Sequence, residues 1–473
     1  MSRLLMMRSA AGPKIALACL SFLVLVVALV QQPAKRLRDF DQPFYITIAY
    51  DLDRHGIFSN GIFVDIDSTV AVPRSGMFFA PVYPLVVLAA MKVDPRFAEA
   101  VACSVEADRG HRDEATCEPY ATPMRIIHAL LLALGIVAVA GAGRQIFGSR
   151  AVFWLAGALA TLALAAEADI FSYVMTESMT FSLYSLFAAA ILHAWRAGRP
   201  RHYVLAGGLL GALALTRLSF FPLFLLVAGL SLLHGYQLSQ PRRPSTGMGV
   251  LGMMLVFALL LGGWGLRNAI SVGKLGLTEE YGSAALIERF AYDDMSSSEF
   301  FFAFPYCTPG LGELAFDKVS GADSMHRFAY DTPGSFFNMG RDRRNALVKE
   351  HGRLDPLIGG IARDELRDNW WRHLVVAIPL AWCGMWPGHL VSLLLVPLFG
   401  VACVRAVRHS QWQFLLYAAP AIAMLALHAL VANHYTRYNI ILIGPFAVGA
   451  AWIICEWTSK LRWRRPGDIP ARA

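Results

Sequence analysis

Four carboxylates (Asp39, Asp41, Asp51 and Asp53) and His55 fall within 17 residues, 39–55, shortly after the first long apolar run of this chain. A carboxylate beside a membrane is either a solvated loop residue or a group that moves protons. Phe44, Ile48 and Leu52 recur at helical spacing, with Tyr45 and Ala49 alongside, so 41–55 reads as an amphipathic helix. Pro43 suits a first helical turn, where its missing N–H is not needed. Gly56 suits the C-terminal stop. Asp41 therefore sits at the helix N-terminus. Two compatible readings stay open for it: an N-cap, which Asp makes well, and a base aimed at the membrane interface.

Other charged residues recur at the ends of apolar runs. Glu177 opens one run, Thr216-Arg217 ends another, Arg267-Asn268 follows Trp264, and Arg437-Tyr438 opens the last. A carboxylate inside a membrane is costly unless it faces a polar cavity. An arginine at the boundary either snorkels or binds phosphate. For Glu177 the plainer reading is a packing hydrogen bond. For the arginines it is an ordinary juxtamembrane cation.

The elements that must position these groups are membrane helices. The 473 residues are 56% hydrophobic and only 16% charged, against roughly 45–50% and about 25% in soluble domains. Ten apolar runs approach spanning length: about 15–30, 124–142, 151–166, 172–195, 203–216, 218–234, 248–266, 385–404, 412–432 and 438–457. Gly207, Gly208 and Gly211 within the fifth permit close helix contact. The net charge of +8 is carried by short basic loops: Arg144 and Arg150, then Arg196, Arg199 and Arg201, then Arg242 and Arg243, then Arg405 and Arg408. Alternation of this kind marks the cytoplasmic side and puts both termini there. The basic residues form no single patch, so no nucleic-acid partner is expected. The first run has no small-x-small cleavage site before Gln31 and reads as a retained anchor.

Two loops on the opposite side, 31–123 and 267–373, are too long to be connectors. The expected organisation is a 1–266 membrane module carrying the first loop, a large 267–373 loop, and C-terminal helices over 374–473. Within the first loop, Leu85 to Met91 reads as an interfacial helix, and Cys103 and Cys117 could bridge in an oxidising compartment. In the second, Phe300 to Tyr306 reads as irregular and Leu357 to Arg372 as a helix returning to the membrane. No Cys-x-x-Cys or His-x-x-x-His spacing occurs, so no structural metal is expected; whether a divalent metal takes part is left open by the carboxylates. No nucleotide-binding or zinc-protease motif is present.

In order along the chain, six short motifs resemble the GT-C superfamily of polytopic glycosyltransferases, above all the bacterial branch akin to protein O-mannosyltransferases and the lipid A aminoarabinose and galacturonic acid transferases. Asp41-Gln-Pro-Phe-Tyr45, continuing through Ala49, Leu52, His55-Gly56 and Phe58, is similar to the first-loop pattern. Pro81-Val-Tyr83-Pro84, Thr176-Glu177, the Gly208 to Thr216-Arg217 helix, Trp264-Gly-Leu-Arg267-Asn268 and Arg437-Tyr438 follow in the expected places. Many members carry Asp-Glu where this chain has Asp41-Gln42.

The resemblance implies an all-α, GT-C-like membrane protein of about ten transmembrane helices with two long extracytoplasmic loops, in a bacterial cytoplasmic (inner) membrane. It implies an inverting glycosyltransferase that moves a sugar from a polyprenyl-phosphate donor to a glycan, lipid or protein acceptor, on the periplasmic side and among membrane lipids. Asp41 would be the catalytic base. Asp39, Tyr45, His55, Tyr83, Glu177, Arg217, Arg267, Asn268, Arg437 and Tyr438 would bind substrate. The rival reading, a transporter or flippase of a lipid-linked or anionic substrate, calls for ionisable residues at mid-membrane, and the runs are almost free of them. A non-catalytic assembly factor would keep the scaffold without needing Asp41.

Overall fold

All ten apolar runs fold as helices in the computed structural model, which describes residues 2–61, 72–238, 245–312, 327–329, 332–433 and 435–463. Arg242, Arg243 and His434 lie outside the described residues. Eight helices are long and apolar enough to cross a membrane: Ala11–Val30, Thr122–Phe147, Glu177–Ala197, Leu218–Tyr236, Ser245–Ser271, His389–Arg408, Trp412–Val431 and Thr436–Ser459. The other two, Arg150–Ala166 and Pro200–Ala214, have 17 and 15 residues. At 1.5 Å per residue they reach only about 22–26 Å, short of a hydrocarbon layer of roughly 30 Å. Glycines draw the second of these against its neighbour. A Cβ on Gly207 would stand 2.5 Å from the Met253 carbonyl oxygen, so the Pro200–Ala214 and Ser245–Ser271 helices meet backbone to backbone there. Among the described residues there is no strand.

Among the described residues the first loop holds three α-helices, Gln42–His55, Val82–Val93 and Pro95–Asp108. Pro43 occupies the first turn of Gln42–His55, and Gly56 ends it at φ 67°, the left-handed cap that glycine adopts without a Cβ clash. The apolar face of this helix is buried against Val82–Val93 through Tyr45, Phe79 and Tyr83. Cys103 and Cys117 form a disulfide.

The second loop contains helices Tyr281–Phe290, Ser297–Cys307 and Phe336–His351, followed by a 30-residue helix, Asp355–Gly384. Phe300 to Tyr306 is thus helical rather than irregular. Ser296 and Glu299 close a capping box that starts the helix, and Pro305 falls in its last turn, where the helix is about to end anyway. The returning helix extends past Arg372 to Gly384, through position 373. A disulfide between Cys307 and Cys383 fastens it to Ser297–Cys307. The loop has its own apolar centre, with Tyr292, Met295, Ala303, Phe328, Phe336, Val376 and Leu380 buried together.

A buried ionic staple fixes the loop to the end of the Trp412–Val431 helix. The fully buried Arg289 guanidinium donates to the Ala429 carbonyl (2.7 Å), the His373 carbonyl (3.1 Å) and the Asp293 carboxylate (2.8 Å). The Asp293 carboxylate also meets His373 Nδ1 at 2.6 Å, while His373 Nε2 reaches the Leu430 carbonyl at 2.9 Å. Removing one partner of a buried pair leaves an uncompensated charge, at a cost of about 3–5 kcal/mol. Asp293→Ala is therefore expected to lower the thermal unfolding midpoint in detergent sharply. An exposed control, Asp364→Ala, should leave it within a degree or so, since surface changes are usually within about 0.5 kcal/mol.

Candidate active site

Asp41 is placed by its neighbour. The Gln42 side chain is fully buried. Its amide nitrogen donates to the Arg36 carbonyl (2.8 Å) and the Asp39 carbonyl (3.1 Å), and its oxygen accepts from the Val174 N–H (2.8 Å). One carboxamide thus ties the turn before the Gln42–His55 helix to the turn before Glu177–Ala197. Within that turn Phe40 adopts φ 54°, a left-handed conformation that costs a non-glycine residue roughly 1–2 kcal/mol; its ring is held edge-on to Tyr173. Asp41 occupies the N-cap position, yet its side chain makes no capping hydrogen bond. Its Oδ2 instead lies 2.8 Å from Nη2 of Arg437.

Arg437 belongs to a set of charges gathered at helix ends. Glu177 is the first residue of its helix and is buried. Its Oε1 stands 3.8 Å from Arg217 and 3.9 Å from Arg437. The Tyr438 ring serves both guanidiniums, with Arg217 at 4.5 Å and Arg437 at 5.2 Å from its centroid. These groups open onto a cleft of about 880 Å³. Asp39, Asp41, Tyr45, Glu177, Arg217, Arg437 and Tyr438, all singled out from sequence, line it. Burial pushes the Tyr45 phenol well above its ordinary pKa, so Tyr45 stays a neutral hydrogen-bond donor at physiological pH.

Four expected residues are not among the lining. Tyr83 is fully buried behind Tyr45, its hydroxyl 2.9 Å from His128 Nε2. His55 is exposed at the last turn of its helix. Arg267 donates to the carbonyls of Gly76 (2.5 Å) and Phe58 (2.9 Å) and lies against the Trp264 and Phe58 rings. Asn268 bonds the Gly276 carbonyl at 2.8 Å. Arg267 and Asn268 thus brace the junction of the two loops, behind the wall that Phe78 and Thr278 present to the cleft.

The opposite wall comes from the second loop and was not legible beforehand. Tyr281 and Glu288 reach the cleft from Tyr281–Phe290; Phe337, Arg341 and Arg344 reach it from Phe336–His351. Burial pushes the Tyr281 phenol up to about 12, with Tyr438 and Asp41 adding to the rise and Arg217 and Arg437 opposing it. Burial also raises Glu288, against the pull of Arg344, whose Nη1 lies 2.5 Å away. Spacings of four and three residues are helical, but charged residues at that spacing in a loop read as a solvated face. No group of three or more His, Cys, Asp or Glu among the described residues is placed to hold a metal. The arrangement can hold an anion between Arg217 and Arg437 and present a carboxylate beside it.

Because Gln42 donates twice and accepts once, glutamate cannot replace it. Gln42→Glu would set a carboxylate against two carbonyls, and an unmet buried group costs roughly 1–3 kcal/mol. The expected outcome is a lower unfolding midpoint for Gln42→Glu than for Gln42→Ala. Equal midpoints would show that setting a carboxylate against the two carbonyls costs no more than losing the amide.

No family model matches the chain, and no curated protein matches its sequence. Two solved proteins are similar in structure. The archaeal oligosaccharyltransferase AglB from Archaeoglobus fulgidus, solved with an inhibitory peptide and a dolichol-phosphate, aligns over 98% of this chain and 53% of its own, at 12% identity and a TM-score of 0.50. ArnT from Cupriavidus metallidurans, in the apo state, aligns over 93% of this chain and 78% of its own, at 16% identity and a TM-score of 0.35. The chain spans about half the length of the archaeal enzyme. At such identities the likeness is one of fold. The chain is a multi-pass membrane protein, helical and without strands among the described residues, whose fold is like that of the oligosaccharyltransferase AglB.

Proposed function

We propose that the chain is an inverting glycosyltransferase that takes a sugar from a polyprenyl-phosphate donor and passes it to an envelope acceptor. The observation that carries this reading is the 2.8 Å pair of Asp41 and Arg437 at the lip of a cleft that also contains Arg217 and Glu177. The donor phosphate binds between the two arginines and draws Arg437 away from Asp41. The carboxylate, released from its partner, accepts the proton of the acceptor hydroxyl. The hydroxyl oxygen bonds to the anomeric carbon from the face opposite the phosphate, the carbon–phosphate oxygen bond breaks, and its electron pair leaves on the lipid phosphate. The guanidiniums neutralise the charge that grows there. Glu177, 3.8–3.9 Å from both, offsets the repulsion between the two guanidiniums.

Three observations support the setting. AglB was solved with a dolichol-phosphate and an inhibitory peptide, the first of these a lipid phosphate of the class invoked here. One disulfide, Cys103–Cys117, lies in the first loop, and the other joins Cys307 of the second loop to Cys383 near the end of the returning helix, whereas the free cysteines, Cys19, Cys403 and Cys455, lie in apolar helices. Disulfides persist in oxidising compartments, which favours an extracytoplasmic cleft, periplasmic in a bacterial inner membrane. Asp41, Glu177, Arg217 and Arg437 all stand at helix ends; a transporter or flippase would need such charges along the middle of its spans.

The test is Asp41→Asn in purified protein. Loss of a general base lowers rates by about 10²–10⁴-fold, so sugar transfer should fall by that factor while donor binding stays within about threefold. Transfer at the wild-type rate would remove Asp41 as the base.

A further inference from the structure

The cleft is lined by four carboxylates (Asp39, Asp41, Glu177, Glu288) and four guanidiniums (Arg217, Arg341, Arg344, Arg437). Most are spoken for. Asp41 pairs with Arg437, Glu177 faces Arg217 and Arg437, and Glu288 pairs with Arg344. Arg344 is further fixed by Asn345 Oδ1, at 3.0 Å from its Nη2. Arg341 differs. Its side chain is exposed, it forms no ion pair among the described residues, and its guanidinium rests 5.5 Å from the Phe337 ring. Asp39 is the other cleft charge without an ion pair among the described residues, and it lies beside Asp41 at the opposite end.

Helical spacing presents Arg341 to the cleft. Phe337, Arg341 and Arg344 stand four and three residues apart on Phe336–His351, so one face carries all three. From Arg341 a run of rings leads back to the donor end. Phe337 meets Tyr435 with centroids 5.9 Å apart, and Tyr435 meets Tyr438 at 5.9 Å. Tyr438 in turn carries Arg217 and Arg437. The cleft thus has two cationic ends joined by aromatic surface. A sugar ring offers C–H faces that lie well on such surface. The cations at one end are balanced by Asp41 and Glu177; at the other, Glu288 feels the charge of Arg341 but takes Arg344 as its ion-pair partner, so Arg341 has no ion pair among the described residues.

We propose that Arg341 is the anion-recognising residue of an acceptor subsite, and that the acceptor carries a carboxylate or phosphate on or next to the sugar-accepting unit. This rests on the transferase reading above, since it takes the Arg217–Arg437 end for the donor. Arg341 grips the anion, and the Phe337–Tyr435–Tyr438 rings carry the intervening unit, so that the acceptor hydroxyl is delivered toward Asp41. A neutral acceptor of the same shape would leave Arg341 unused.

Calorimetric titration of the detergent-solubilised full-length chain, without donor, tests this with two matched pairs of probes. Methyl glucuronide is compared with methyl glucoside, and glycerol 1-phosphate with glycerol. The expected result is that the anionic member of at least one pair binds about tenfold or more tighter, equivalent to roughly 1.4 kcal/mol. That preference should fall to within about twofold in Arg341→Gln and persist in Arg217→Gln, as charge-assisted contacts are local. The pair that shows it tells carboxylate from phosphate. No preference in either pair overturns the proposal, as does a preference that survives Arg341→Gln. An equal loss in Arg217→Gln also overturns it, because the field of the whole cleft would then be responsible. No donor is present, so a negative result leaves the transferase reading standing. Wild-type transfer by Asp41→Asn would remove that reading and leave the measured anion preference intact.

Discussion

The cleft depends on a carboxylate that forgoes its own helix. An aspartate at an N-cap ordinarily accepts from the first backbone N–H groups, which is why the residue is favoured there. Asp41 occupies that position and points elsewhere, to Arg437 at the start of the last span. The cost of the unmade cap and of the left-handed Phe40 is borne by surrounding structure, chiefly the buried Gln42 amide. Local departures of this kind are found at functional sites, where tertiary contacts override local preference. Asp41 and Arg437 are 396 residues apart in sequence (437 − 41), so their contact is a product of the fold as a whole.

That fold works as a frame with two walls. The membrane helices supply Glu177, Arg217, Arg437 and Tyr438 at their ends, and the first loop adds Asp39, Asp41 and Tyr45. The second loop closes the other side with Tyr281, Glu288, Arg341 and Arg344. It is held down at separate points: the Arg289–Asp293–His373 staple, the Cys307–Cys383 bridge, and the Arg267 contacts where the two loops meet. Each of these anchors lies away from the cleft lining, and the Thr278 hydroxyl adds a further tie at the lining itself by donating to the Phe78 carbonyl.

Features with a local signal were legible in the sequence. Apolar runs, the stripe of Phe44, Ile48 and Leu52, and boundary arginines are all defined by neighbours within one or two turns. Asp41, Glu177, Arg217, Arg437 and Tyr438 came from such patterns and line one cleft. The second wall had no equivalent signal, because Glu288, Arg341 and Arg344 look like any solvated helix face until the helix is placed against a cavity. Gln42 was noticed as a departure from a pattern, but its three buried hydrogen bonds depend on the Val174 turn, far along the chain. The Cys307–Cys383 bridge spans 76 residues and has one end inside a long helix, so spacing could not suggest it. The helix over Ser297–Cys307 was missed for a different reason. Its aromatic run and Pro305 outweighed a readable start signal, Ser296 followed three residues later by Glu299.

The central claim is that the cleft is a place where a lipid phosphate leaves a sugar. The most direct measurement incubates the purified chain with polyprenyl-phosphate sugar labelled at the anomeric carbon, following both the lipid phosphate set free and the configuration of the labelled carbon by NMR. The account predicts time-dependent release of lipid phosphate with inversion at that carbon. Release with retained configuration would contradict a single displacement assisted by Asp41, and intact donor in the presence of an envelope extract supplying acceptor would contradict transfer altogether.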